Sequence, residues 1–132
     1  CPYRRTIMTP IFVYGTLMAG EESDGFLAAF QRRPATCRGH LYMMPAGYPG
    51  LVPCPEGKPI HGEYVELPSF GTLRVLDHFE RVADGLYIRD EIEVDLGAAR
   101  TPAWAYVLSF EMVKKRKLRQ LAIDDWRKLR AY

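Results

Sequence analysis

Ile11-Phe12-Val13-Tyr14-Gly15-Thr16-Leu17 reads as a strand that breaks on a glycine. Phe12 and Tyr14 alternate with Ile11 and Val13, as a strand requires, so residues 11–14 are expected to be the first strand. Gly15 lets the backbone turn where a side chain would clash. Thr16 and Leu17 follow with their backbone N–H groups. A helix is expected soon after, from Ser23 to Phe30, with Ser23 or Asp24 near its N-terminus. A strand that ends in such a turn leaves several N–H groups aimed at one spot. That spot suits a carboxylate or a polarised carbonyl.

The rest of the chain is built to match a single small domain. It has 132 residues, 48% of them hydrophobic and 12% aromatic, enough to bury a core. Net charge is +2, so no global basic field demands nucleic acid. Three cysteines, Cys1, Cys37 and Cys54, are too few and too irregular for a disulfide framework or a zinc site. A reducing compartment follows, and the cytoplasm is the expected location. No apolar run approaches the about 20 residues that span a membrane. Residues Cys1 to Ile7 carry no pattern and Met8 reads as a start, so residues 1–10 are expected to be an extension, with one domain over 11–132.

Punctuation by glycine and proline divides that domain. Ala35 to Met44 reads as a second strand, Leu51-Val52 as a short one and Ile60 to Leu67 as another, separated by turn clusters at Pro45–Gly50 and Cys54–Pro59. Ser69 opens a helix that runs to about Val82. Leu86 to Leu96 alternates through Ile88, Ile92, Val94 and Leu96, with Gly97 as the turn, and Pro102 to Phe110 is the last strand. A basic tail from about 111 to 132 is expected to form one or two short helices. Many short strands with few helices give an α+β domain.

The Ser69 helix holds the most telling carboxylate. At about 100° per residue, Phe70, Leu73, Leu76 and Phe79 form its apolar stripe, while Arg74, His78 and Arg81 fall on the polar side. Glu80 lies one turn after Leu76 and so projects into the apolar stripe. Desolvation there disfavours the ionised form and moves the pKa toward the range useful for proton transfer. An inward Glu also has a structural use, pairing with an arginine such as Arg89 or capping a turn. Asp77 shares the inward arc and reads as a helix-fixing group. Tyr87 and Arg89 lie two apart and share a face of their strand. On an inward face they bring a phenol and a guanidinium into the interior; otherwise they are structural. Gly47-Tyr48-Pro49-Gly50 is a tight turn, or part of a pocket rim. His40, His61 and His78 have no metal-ligand spacing. Cys37 and Cys54 lack an activating base, so neither reads as a nucleophile. Neither a Walker loop nor a dinucleotide fingerprint is present. The dense run Lys114-Lys115-Arg116-Lys117-Leu118-Arg119 reads as a solvated face.

Tyr14-Gly15-Thr16-Leu17 resembles the signature of the gamma-glutamylcyclotransferase-like superfamily, which includes AIG2-like proteins and gamma-glutamylamine cyclotransferases. Further segments follow in matching order: Gly47–Pro53, His61–Tyr64, Leu76–Glu80 with Tyr87 and Arg89, Ala103–Tyr106, and Asp125-Trp126. The resemblance implies a small, mostly closed mixed β-barrel flanked by two to four short helices. It implies an enzyme that releases 5-oxoproline and an amine from a small γ-glutamyl substrate, with Glu80 as general acid and base. Tyr14, Gly15, Thr16, Leu17 and Tyr87 would bind the substrate, and no cofactor, metal, nucleic acid or membrane is implied. The other reading is a non-catalytic binding or interaction module that keeps the pocket.

Overall fold

The computed structural model describes residues 9–15, 31–44, 49–67, 71, 72, 74, 76 and 87–125. Seven strands and one short helix are defined within them: β1 (Thr9–Val13), β2 (Arg32–Met43), β3 (Pro49–Pro53), β4 (Lys58–Leu67), β5 (Ile88–Asp95), β6 (Arg100–Val107), α1 (Phe110–Arg116) and β7 (Arg119–Gln120). Gly71, Thr72, Arg74 and Leu76 are helical as well. Among the described residues no helix is long and apolar enough to cross a membrane. The expected Ser23–Phe30 helix lies outside the described residues, as do Phe70, Leu73, Asp77, Phe79 and Glu80 of the expected stripe.

The sheet closes on itself. β1 pairs antiparallel with β4, β4 with β2, and β2 with β3; β3 then meets β6 in parallel at Leu51↔Val107, and β6 returns in parallel to β1 at Trp104↔Ile11. This is a closed, mixed, five-stranded barrel, in keeping with the small, mostly closed mixed barrel that the resemblance implies. β5 hangs on β6 along its whole length and touches β2 at Asp95↔Thr36, and β7 lies against the far end of β2.

Opposite residues in a pair project to the same side, so the register sorts the core into two layers. Phe12, Ala35, Cys37, Leu41, Leu51, Ile60, Ala103 and Val107 face the interior, and all are buried. Ile11, Val13, Val65 and Tyr106 project outward and are buried too. β1 is thus covered on both faces, which is why its sequence is an unbroken apolar run. Leu76, only 2% exposed, and exposed Arg74 match the expected helix stripe and its polar side.

Several boundaries differ from expectation. β2 starts at Arg32, where Arg32 Nη1 meets Glu63 Oε1 at 2.9 Å and the pairing to β4 already runs. β6 stops at Val107, because Ser109 caps a helix: its Oγ accepts the Met112 N–H at 3.1 Å, so Phe110 belongs to α1. Among the described residues the tail gives one helix and a short strand. Ile88, one of the alternating apolar residues of β5, stands 47% exposed at the start of the strand. Gly97 makes the β5–β6 turn with φ +97°, a conformation glycine adopts without strain.

Two expectations test this packing. A Cβ on Gly62 would lie 2.4 Å from the Val13 carbonyl oxygen and 2.7 Å from Cζ of Phe12, the largest fully buried side chain. Gly62→Ala therefore overpacks the barrel, at a cost of about 1–3 kcal/mol; a thermal melt shows a lower Tm, and an unchanged Tm contradicts this layer assignment. Burial also pushes the Cys37 thiol up to about 11. An unfolded thiol loses its proton near 9.0, so the folded state loses stability as pH rises from that value through about 11. At pH near 8, iodoacetamide labels half-buried Cys54 well before Cys37. Equal labelling rates in peptide mass mapping of the native protein contradict this burial.

Candidate active site

β1 and β3 both reach β6, by way of Trp104 and Val107 respectively. Leu51↔Val107 is a parallel bridge, whose regular form needs two bonds on one edge of β6. One runs from the Leu108 N–H to the Leu51 carbonyl at 2.8 Å. The other two groups of the bridge are the Leu51 N–H and the Tyr106 carbonyl. The Tyr14 hydroxyl joins those same two groups: the Leu51 N–H donates to it at 3.0 Å, and it donates to the Tyr106 carbonyl. A phenol that donates and accepts at once suits a gap between an amide and a carbonyl. Tyr14 thereby ties the end of β1 to both β3 and β6, and its ring stacks on Phe12 with centroids 6.2 Å apart.

Gly15 follows from this brace. A Cβ there would lie 2.9 Å from Cγ of Pro49, so the turn after β1 rests directly on the first residue of β3. The Tyr87 hydroxyl donates to the Pro49 carbonyl at 2.6 Å. Gly50 admits Leu108, whose Cδ1 would lie 2.2 Å from an added Cβ. One end of the barrel is therefore assembled from remote segments: the Gly15 turn and Tyr87 meet at Pro49, and Leu108 packs on Gly50 beside it.

Of the residues singled out in the sequence, the structure brings together Tyr14, Gly15 and Tyr87. Thr16, Leu17 and Glu80 lie outside the described residues. The hydroxyls of Tyr14 and Tyr87 are engaged with protein backbone. Arg89 does not enter the barrel. Its register opposite Tyr106 puts it on the outer side, where its guanidinium carbon lies 4.9 Å from the centroid of the Trp104 ring. Nothing in the sequence marks Tyr106 or Leu51 as the partners of Tyr14, because each contributes a backbone group. His61 lies 3.8 Å from Asp124, and His40 contacts Gln120 at 3.3 Å.

A groove of about 440 Å³ opens elsewhere, lined by Cys37, Cys54, Ile92, Val94 and the acidic side chains of β5. It lies toward the ends of β3 and β5 remote from Pro49 and Tyr87, and it includes none of the singled-out site residues.

Removing one hydroxyl tests the brace. Tyr14→Phe leaves the Leu51 N–H and the Tyr106 carbonyl without their bridge. Two buried polar groups lose a partner, and the expected loss is about 1–3 kcal/mol. Urea unfolding shows a lower midpoint with the slope unchanged; a midpoint equal to that of the unaltered protein contradicts the brace.

Residues 11–128 match the family model described as gamma-glutamyl cyclotransferase, AIG2-like. A putative gamma-glutamylcyclotransferase of Vibrio cholerae is 39% identical over 104 residues, covering 74% of this chain and 79% of that protein. The gamma-L-glutamyl-butirosin B gamma-glutamyl cyclotransferase of Niallia circulans is 29% identical over 133 residues, covering 96% of this chain and 80% of that one. In fold, the chain superposes on the crystal structure of YkqA from Bacillus subtilis with a TM-score of 0.71 and 24% identity. There it covers 92% of this chain but only 40% of that protein. The chain belongs to the gamma-glutamyl cyclotransferase, AIG2-like family.

Proposed function

We propose that the chain is a γ-glutamyl cyclotransferase that releases 5-oxoproline and an amine from a small γ-glutamyl compound. In this reaction the substrate's α-amine attacks its own γ-carbonyl carbon. A new C–N bond closes the ring, the C–N bond to the departing amine breaks, and no water is consumed. Atoms balance without a cofactor or a metal. Glu80 takes the proton from the attacking amine and returns it to the leaving nitrogen. A single carboxylate of raised pKa serves both steps. The N–H groups at Gly15, Thr16 and Leu17 receive the substrate's oxygens and the developing oxyanion. Tyr87 acts at the rim by holding the Pro49 carbonyl.

The observation that carries this reading is the brace on the turn. An oxyanion site works only if its donors are held still, since preorganised dipoles cost no reorganisation during reaction. Tyr14 is anchored at its hydroxyl to two strands, and Gly15 rests on Pro49. The burial of Leu76, whose helical spacing carries the inward reading of Glu80, supports the acid–base role. Family membership supports the reaction class.

The test is turnover of a panel of γ-glutamyl amides with detection of 5-oxoproline. Glu80→Gln keeps the shape and removes the titratable proton, so kcat falls by about 10²–10⁴-fold while the fold is retained. Retention of more than about a tenth of kcat excludes Glu80 from this role. Gly15→Val drives a branched side chain into Pro49 and weakens binding of a γ-glutamyl ligand more than it lowers Tm. Unchanged affinity in calorimetry contradicts the cradle.

A further inference from the structure

β5 leaves one edge of the sheet open. It pairs with β6 along its whole length, and its far edge meets β2 only at Asp95↔Thr36. Across the hairpin the Leu96 N–H donates to the Ala99 carbonyl at 2.8 Å. Backbone groups alternate between the two edges of a strand, so even-numbered residues of β5 turn theirs to β6 and odd-numbered ones turn theirs away. Among the described residues no strand lies opposite Glu91 or Glu93 on that far edge. The Glu91 N–H is taken by the Asp90 carboxylate beside it, at 2.9 Å. The Glu91 carbonyl and both backbone groups of Glu93 are left for a partner strand.

The groove of about 440 Å³ follows this edge, with Asp90 to Asp95 in its lining. Pro53, Cys54 and Pro55 line it as well. They have no N–H to offer β5, because prolines lack one and the Cys54 N–H goes to the Arg38 carbonyl at 3.0 Å. The two faces of the edge differ. Ile92 and Val94 lie opposite Ala103 and Thr101 and project to the inner side, where they and Cys37 are buried. Glu91, Glu93 and Asp95 lie opposite Trp104, Pro102 and Arg100 on the outer side and are exposed. Among the described residues Glu91 has no ion pair, and Glu93 has an exposed contact with Arg100 at 3.7 Å, a kind of pair worth little. Arg38, the other cation in the lining, donates to the Gly57 carbonyl at 2.9 Å.

An unpaired edge is a template for another strand. A strand added here alternates its own side chains between the two faces. On one face it meets the apolar wall of the groove, and on the other it meets carboxylates two residues apart. A second copy of β5 does not suit the edge, since acid would face acid. We infer that the β5 edge docks an extended basic segment of another protein, one that alternates lysine or arginine with apolar residues.

The labelled hexapeptide Lys-Val-Lys-Val-Lys-Val is the probe, titrated into the whole chain by fluorescence anisotropy. It binds saturably, and more weakly as salt rises, because exposed charge contacts are screened. The block isomer Lys-Lys-Lys-Val-Val-Val has the same composition and binds about tenfold more weakly or worse, as does Glu-Val-Glu-Val-Glu-Val. The double variant Glu91→Lys with Glu93→Lys loses affinity for the probe by about tenfold or more. Both positions are exposed, so its thermal melt stays close to that of the unaltered protein. Exchange of the Glu93 amide slows when the probe is bound, a change that charge attraction alone does not produce. Equal binding of the block isomer, of the acidic peptide or of spermine in place of the probe overturns the inference. So does full affinity in the folded double variant, an unchanged Glu93 amide, or no saturation up to about 1 mM. If the double variant fails to fold, the acidic peptide and the Glu93 amide decide the matter on the unaltered protein.

Discussion

The hydrogen-bonded bridge through the Tyr14 hydroxyl is the contact on which the rest of this molecule turns. β6 cannot be bonded to β1 and β3 over the same residues. Somewhere between Trp104 and Leu108 one strand must give way to the other. At such a change of partner the backbone groups on that edge need partners, and buried groups of that kind are costly when unpaired. Tyr14 meets that need with a side chain of the right length that donates to one group and accepts from the other. It reinforces the closure of the barrel at this edge, and the turn at Gly15 rests on Pro49 beside it.

Under the proposed reaction, structure and chemistry are coupled at one residue. The strand that completes the barrel also carries the Tyr-Gly-Thr-Leu segment at its end. Pro49 receives the turn through its ring and Tyr87 through its carbonyl, so β1, β3 and the start of β5 meet at one point. The remaining packing defends that arrangement. Gly62 leaves room for the Phe12 ring, which stacks with Tyr14, and Gly50 leaves room for Leu108 at the β3–β6 contact. Small residues at these positions are where large ones must approach backbone. Met43, which pairs with Pro49, pairs on its other edge with Arg119 of β7, which follows the exposed basic residues Lys114 to Lys117.

Much of this was legible in the sequence, and the rest was hidden for identifiable reasons. An apolar run ending on Gly15 located β1, turn punctuation located β4, and alternation located β5. Gly97 announced its turn, while the apolar run through Phe110 concealed that Ser109 caps a helix. The inner side of β2, through Cys37, Gly39 and Leu41, could be grouped by spacing but not assigned to the interior until its partners were known. Arg89 shows the limit most clearly. Its neighbours in sequence allowed an inward guanidinium, and only pairing with Tyr106 on β6 sent it outward to Trp104. The family resemblance supplied the closed barrel, which periodicity does not encode. The bridge at Leu51 and Tyr106 uses backbone groups, which carry no letter in the sequence.

Cyclisation within the substrate is the central claim, and the source of oxygen in the product tests it most directly. The purified chain is incubated with a γ-glutamyl amide in water enriched in oxygen-18, and the products are weighed by mass spectrometry. Attack by the substrate's own amine retains the carbonyl oxygen and consumes no water. The account therefore predicts 5-oxoproline free of the heavy isotope, formed in step with the released amine. Glutamate carrying oxygen-18 in its γ-carboxylate would show that water is the nucleophile and would contradict the account.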